Sequence, residues 1–269
     1  MKDTPVKISV IIITWNELNL IDRCLHSFYD GFDFESHEIV VMDNGSSDGT
    51  GEMILEKYPS VTYHKLSKNI GVGPARNRAI IASRGEFIMT LDNDALLECD
   101  FSTVAASIES SFESEERLGV MGFRLCYPDG TYQYNGRSFP GLLQPLVSRV
   151  AVLQKVGMLH RLLENHLRKD LGNETNGLHE VDYVLGANQI FRKEDVVHIG
   201  MYDDAIFFGP EDLEFCWRLK KSLGRVNMIN LSLSIVHDYQ RRTTKFNLIL
   251  LKHLFSYYST WVKMRFSRF

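Results

Sequence analysis

Asp92-Asn93-Asp94 directly follows the apolar run Phe87–Leu91, and chemistry-bearing side chains are densest there. Two carboxylates one residue apart at a strand end, where backbone polar groups converge, suit a hard divalent cation that is shared with a phosphate. The same residue types build ordinary surface turns, and spacing alone does not separate the two readings. The surrounding strand ends carry the argument further. Asp43 stands in the equivalent place after the run Glu38–Met42, and Thr14-Trp15-Asn16-Glu17 after the run Lys7–Ile13. Carboxylates on such a rim accept hydrogen bonds from a nucleobase N–H or a ribose hydroxyl. The segment from Asp43 to Asp48-Gly49 is not a calcium loop, because Gly45 and Ser47 fall where oxygen ligands are expected and Ile54 replaces the closing glutamate.

Gly71-Val72-Gly73-Pro74-Ala75-Arg76 resembles a dinucleotide fingerprint only in outline, since Arg76 replaces the third glycine and the segment lies between the third and fourth β-α units. A glycine turn that opens a helix carrying Arg76 and Arg78 still favours an anion, although a plain loop with exposed arginines fits as well. Glu211-Asp212 opens another helix after Phe207-Phe208-Gly209-Pro210. Acids in a first helical turn complement the helix dipole. Together with Glu214 they also fit a partly buried acidic pocket in which one carboxylate is a general base. His237 ends an apolar run and precedes Asp238, Arg241 and Arg242. A lone histidine is most often structural; beside a carboxylate pair and two arginines it also suits a metal and diphosphate site.

The elements that must position these residues are legible as periodicity. Lys7–Ile13 and Glu38–Met42 read as strands covered on both faces, and Val61–Lys65 and Glu86–Leu91 as two more. Helices are expected over Leu18 to Phe28, Thr50 to Tyr58 and Pro74 to Ser83. Alternating β-α units within 92 residues predict an open, mostly parallel sheet with helices on both faces and ligands at the carboxyl ends of its strands. Beyond Asp100, Val120–Leu125 and Thr131–Tyr134 flank Pro128-Asp129-Gly130 as a hairpin. Phe139 to Leu171 is a long amphipathic, basic segment, and Val181–Phe191 returns to strand. Glu211–Leu223 reads as a helix and Val226–Val236 as one or two strands. The prediction is one mixed α/β domain over residues 1–240, with a nucleotide-binding half (1–98) and an acceptor-side half (99–240) that contains a variable insert (139–182).

Composition narrows the class. The chain has 269 residues, 44% of them hydrophobic, and a formal charge of −4, which excludes disorder and a disulfide mini-scaffold. Cys24, Cys99, Cys126 and Cys216 show no metal-ligand spacing, so reduced, mostly buried thiols are expected. The mild charge is an average of two unlike parts: residues 239–269 hold seven basic side chains and no acidic one. In residues 241–269 aromatic and aliphatic residues alternate with Lys252, Lys263, Arg265 and Arg268. That pattern fits an amphipathic helix on an anionic membrane face, or a terminal helix packed on the domain. No secretion signal or spanning run is read, so the expected location is cytoplasmic, at most peripheral on the inner face of the membrane. Nucleic-acid binding does not suit the acidic body.

SVIIITWNE (Ser9–Glu17), VVMDNGSSDGT (Val40–Thr50), NIGVGPARNRAI (Asn69–Ile80), LDND (Leu91–Asp94), LGANQIFRKEDVVHIGMYDD (Leu185–Asp204), GPEDLEFCWRL (Gly209–Leu219) and SIVHD (Ser234–Asp238), in this order, resemble a family-two glycosyltransferase of GT-A fold, closest to the bacterial rhamnosyltransferase-like branch. The resemblance implies an inverting transferase that moves a sugar, dTDP-rhamnose being the favoured donor and UDP-hexoses the alternative, to a glycan or polyprenyl-diphosphate-linked acceptor in cell-surface polysaccharide synthesis. It implies that Thr14, Trp15, Glu17, Asp43 and Asn93 hold the nucleotide sugar, with Arg76 on the diphosphate side. Asp92 would touch ribose and metal, Asp94 and His237 would complete the ligation of Mg²⁺ or Mn²⁺, and Asp212 would be the catalytic base. Glu211, Glu214, Arg241 and Arg242 would lie toward the acceptor or diphosphate. Glu214 departs from the aspartate that the family often has there. A nucleotide- or glycan-binding module without turnover is the competing class, and the presence of Asp212 argues against it. A nucleotidyltransferase lacks support because Thr14-Trp15-Asn16-Glu17 offers no phosphate-cradling glycines.

Overall fold

Parallel β-α units open the chain, in a computed structural model that describes residues 5–147, 155–207, 209–238 and 248–266. Strands β1 (Ile8–Thr14), β2 (His37–Asp43), β3 (Thr62–Lys65) and β4 (Phe87–Asp92) alternate with helices α1 (Leu18–His26), α2 (Thr50–Lys57) and α3 (Val72–Ala82). The strands pair in parallel in the order β3-β2-β1-β4, with Thr14 opposite Asp43 and Ile13 opposite Asp92. Each crossover helix returns the chain to the same starting edge, so the strands end on one rim.

Burial explains why the β-branched runs stay in register. Ile8, Val10 and Ile12 face Ile21 and Leu25 of α1, whereas Ile11, Val40 and Met42 face Ala75, Ala79 and Ile80 of α3. A slip of one residue would exchange the two faces and lose both sets of contacts. Fully burying one such isoleucine contributes roughly 1.5–3 kcal/mol.

The second half extends the same sheet. After β5 (Ala95–Leu97) and α4 (Phe101–Ser114) come β6 (Leu118–Cys126), β7 (Gly136–Arg137), α5 (Gln144–Val147), α6 (Gly157–His166) and a 3-10 turn, Lys169–Asn173. Then follow β8 (Leu178–Val181), β9 (Tyr183–Val184), a second 3-10 turn at Gly186–Asn188, β10 (Ile190–Arg192), α7 (Lys193–His198), α8 (Glu211–Leu223), β11 (Val226–His237) and α9 (Leu248–Phe266). The sheet continues β4-β10-β6-β11-β5, with β8 also on β11, while β7 and β9 form a separate pair. Strand β10 is antiparallel to both β4 and β6, and β11 is parallel to β6. Two reversals restore the original sense, so β11 ends on the same rim as β4.

Several expectations change. Thr131–Tyr134 is not a strand: one bridge, Cys126 to Tyr132, holds it to the end of β6. Phe139 to Leu171 breaks into α5, α6 and the 3-10 turn, with residues 148–154 outside the described residues. Val181–Phe191 is interrupted at Gly186–Asn188 because Asn188 inserts its side chain between two strands, Oδ1 accepting from Phe123 N (2.8 Å) and Nδ2 donating to the Thr90 carbonyl (3.3 Å). The side chain replaces ladder bonds that backbone would otherwise make. The four cysteines are free, and three are buried.

Helix α9 packs one face on the body. Thr260 is buried, Met264 packs against the core on the α3 and α8 side, and Lys263 Nζ lies 2.8 Å from Asp203 Oδ2. Phe255, Val262 and Phe266 are exposed. Among the described residues, no helix is long and apolar enough to cross a membrane.

Candidate active site

The end of β11 and the turn after β4 meet because β5 reverses direction and pairs with β11, His237 opposite Ala95. Asp238 N donates to the Asp94 carbonyl at 2.9 Å and closes the junction. This pairing brings His237, distant in sequence, to the Asp92-Asn93-Asp94 turn. His237 Nε2 lies 3.1 Å from Asp94 Oδ1 and 3.8 Å from Asp92 Oδ2. One ligand atom from each of the three falls within 4.8 Å of the others. Burial disfavours a charged imidazole, but the hydrogen bond to Asp94 and the charges of Asp92 and Asp94 outweigh it and hold the His237 pKa above its ordinary value. The pocket therefore attracts positive charge, and two carboxylate oxygens with an imidazole nitrogen are a fitting donor set for Mn²⁺ or Mg²⁺.

Asn93 turns the other way. Its Nδ2 donates to Thr14 Oγ1 at 3.1 Å and to Glu17 Oε2 at 2.9 Å, tying the ends of β1 and β4 together. Trp15, between Thr14 and Glu17, is exposed beside them. Asp43 is fully buried: Oδ1 accepts from Ser46 N (2.7 Å) and Oδ2 from the Tyr63 hydroxyl (2.6 Å). Burial and that bond to a carboxylate raise the Tyr63 pKa. Asn44 braces the next loop, Nδ2 donating to the Gly71 carbonyl and Oδ1 accepting from Ile70 N. Tyr63 and Asn44 were not singled out in the sequence, because a partly buried tyrosine on a short strand and an asparagine in a turn have no distinguishing spacing.

Arg76 lies at the junction of both halves. Its side chain is 4% exposed; Nη2 donates to Asp92 Oδ1 (3.2 Å) and to the Gly186 carbonyl (2.8 Å). Among the described residues the buried Nη1 has no hydrogen-bond partner, and it stands 3.6 Å from Glu211 Oε1. Gly186 in turn donates its N–H to Asp212 Oδ2 at 3.1 Å. A Cβ at Gly186 would lie 2.5 Å from Arg76 Nη1, so only glycine lets the guanidinium sit there. The sequence offered no signal for this contact.

The acidic pair opens α8. Burial, and then the neighbouring Asp212 charge, push the Glu211 pKa up to about 7, against Arg76. Burial also raises the Asp212 pKa, opposed by hydrogen bonds from Gly186 and Leu213. Two adjacent carboxyls with elevated pKa values beside a cation pocket match the profile of a proton-transfer site. Glu214 is elsewhere: Oε1 and Oε2 accept from Arg218 Nε (2.8 Å) and Nη2 (2.7 Å), and Arg218 also donates to the carbonyls of Ile199 and Met201. That buried fork holds the loop before α8 and engages both Glu214 oxygens. Arg241 and Arg242 lie outside the described residues.

Known proteins resemble the chain in sequence and in shape. An uncharacterized glycosyltransferase of Bacillus subtilis (strain 168) is 25% identical over 248 residues, 81% of this chain and 61% of that protein, so the chain spans about three fifths of that relative's length. The N-acetylglucosaminyl-diphospho-decaprenol L-rhamnosyltransferase of Mycobacterium tuberculosis (strain ATCC 25618 / H37Rv) is 26% identical over 216 residues, 76% of this chain and 67% of that one. Among solved structures, the mannosyltransferase from Pyrobaculum calidifontis in complex with GDP-Man and Mn²⁺ superposes with a TM-score of 0.64 over 99% of this chain and 68% of that one, at 17% identity. That likeness shows the GT-A type of fold. Residues 9–197, more than half of the chain, match the model of glycosyl transferase family 2 and contain all of this site but α8 and the end of β11; the chain belongs to that family.

Proposed function

We propose that the protein is an inverting glycosyltransferase that moves a sugar from a nucleoside-diphosphate sugar to a hydroxyl of a glycan or lipid-linked glycan. The observation that carries this reading is the single hydrogen-bonded chain from Asp92 through Arg76 and Gly186 to Asp212. It joins a cation pocket to a carboxylate of raised pKa, the two parts that transfer between a diphosphate and an alcohol requires.

In this reading Thr14, Trp15, Glu17, Asp43 and Asn93 accept the nucleotide within residues 1–98, and residues 99–240 face the acceptor. Asp92, Asp94 and His237 would hold a divalent cation, Mg²⁺ or Mn²⁺, which when bound would supply positive charge for a departing diphosphate. Arg76 adds fixed positive charge beside Asp92 without reorganising during the reaction. Asp212 takes the proton of the acceptor hydroxyl as its oxygen bonds to the anomeric carbon and the bond to the diphosphate oxygen breaks. One base and no covalent nucleophile give inversion.

The rhamnosyltransferase name of the mycobacterial relative supports dTDP-rhamnose as donor and a polyprenyl-diphosphate-linked acceptor. A UDP-hexose is the alternative within the same chemistry. The exposed Phe255, Val262 and Phe266 of α9, in a basic tail, support a peripheral position on an anionic membrane face, inside the cell. The test is a screen of nucleotide sugars with Mn²⁺ and with Mg²⁺, reading released nucleotide. Release with one donor, lost on chelation, is expected; a folded, cation-loaded protein that cleaves none of them overturns the proposal.

A further inference from the structure

The turn Pro128-Asp129-Gly130 has no part in the site as described so far, yet it sets one side chain against His237. Tyr127 N donates to the Thr131 carbonyl (2.8 Å), Gly130 N to the Tyr127 carbonyl (2.8 Å) and Asp129 Oδ1 accepts from Thr131 N (2.9 Å). The chain folds back along β6, where Gln133 N donates to the Leu125 carbonyl at 2.8 Å. Strand β6 runs beside β11 with Cys126 opposite Val236, so Gln133 is delivered next to His237.

Its amide grips that residue at two points. Nε2 lies 2.6 Å from the His237 carbonyl, and Oε1 lies 2.7 Å from His237 Nδ1. A carbonyl only accepts, so the atom facing it is the NH₂ and the atom facing the ring is the oxygen. Oε1 only accepts, so Nδ1 carries a proton. The remaining nitrogen, Nε2, is the one directed at Asp94 and Asp92. Nε2 is therefore the nitrogen turned to the two carboxylates, where either a proton or a cation is held between the ring and Asp94.

We infer that Gln133 is a positioning residue of the cation site: it fixes the ring orientation and the Nδ1–H tautomer of His237, so that Nε2 is ready as a ligand. This rests on the reading of Asp92, Asp94 and His237 as a cation site. Gln133 does not touch the cation, and it acts only through His237. Such outer partners of a ligating imidazole typically change metal affinity by about 10–100-fold when removed.

Mn²⁺ alone, titrated into the full chain and read as free Mn²⁺ by electron paramagnetic resonance, tests both levels. Gln133→Leu keeps the volume and loses both hydrogen bonds, and its Mn²⁺ affinity is expected to fall about 10–100-fold. Gln133→Glu keeps an acceptor for Nδ1–H but sets its second oxygen against the His237 carbonyl, so its affinity is expected to fall between those of Gln133→Leu and the parent, a partial rescue that a general packing role would not produce. Wild-type affinity in Gln133→Leu overturns the inference while leaving the cation site intact. A parent chain that binds no more Mn²⁺ than Asp94→Asn or His237→Ala overturns the cation site itself, and the inference with it. Should Gln133→Leu not fold, the ring nitrogens of His237 in the Mg²⁺-loaded parent decide: ¹⁵N shifts of an Nδ1–H tautomer are expected, and an Nε2–H tautomer refutes the clamp.

Discussion

Asp212 and Glu211 are adjacent in sequence but differ in their surroundings. Asp212 is partly open to the rim and held by Gly186, whereas Glu211 is buried against Arg76. With Asp212 as the proposed base, Asp212→Asn keeps the shape and loses the proton acceptor, so transfer is expected to fall by about 10²–10⁴ while donor affinity, read by calorimetry, stays nearly unchanged. Near-normal turnover would remove the assignment. Because burial raises the Asp212 pKa, the acid limb of the pH–rate profile should lie above the usual carboxylate range, activity being lost as pH falls and the base takes up its proton. Glu211 has the opposite sign for stability. Its folded pKa of about 7 exceeds the ordinary glutamate value of 4.5, so its contribution is fully present below about 4.5 and is lost as pH rises through about 7. Melting temperatures across pH 4–8 should therefore fall less steeply for Glu211→Gln than for the parent; parallel curves would count against a buried acid of raised pKa.

Elements meet at two glycines where no other residue fits. At Gly186 a Cβ would strike Arg76, so Gly186→Ala should displace the guanidinium and lower kcat by about 10–100-fold with the melting transition nearly preserved. Loss of fold instead of rate would make Gly186 a packing residue only. Gly71 opens α3 at φ +97°, and a Cβ there would lie 2.5 Å from the Phe207 carbonyl. Val72 N donates to that same carbonyl, and Asn77 holds the Tyr202 backbone from both sides. The loop before α8 is thus clamped onto α3. Gly71→Ala should cost about 1–3 kcal/mol in denaturant unfolding and loosen the loop that leads to Asp212. These junctions were not legible in the sequence: a glycine needed for close approach looks like a glycine needed for a turn. The alternation of apolar runs and turn residues, by contrast, located the first-half strands to within about two residues, because period and burial are local properties.

At the scale of the whole molecule, the two expectations for the basic tail are compatible. Met264 and Thr260 face the body and Lys263 pairs with Asp203, while Phe255, Val262 and Phe266 face outward. Removing residues 246–269 should therefore do two separable things. It should lower the melting temperature, because it uncovers part of the core on the α8 side. It should also abolish co-sedimentation with vesicles rich in phosphatidylglycerol, an association that weakens with salt. A parent chain that never sediments with anionic vesicles would leave α9 as a packing helix alone.

The sequence by itself determined the parallel first half, the aspartate turn after the fourth strand and the acidic start of α8. Each is set by neighbours within about ten residues: alternating burial, turn formers and helix-start chemistry. The resemblance already grouped His237 with Asp94; only the tertiary structure decided that the β5–β11 pair brings them together, that Gln133 hydrogen-bonds the histidine, and that Arg76 reaches Asp92 and Glu211 together. It also decided that Glu214 pairs with Arg218. Those outcomes depend on strand order and on which side chain fills a shared space, and neither is encoded in the spacing of residues along one segment.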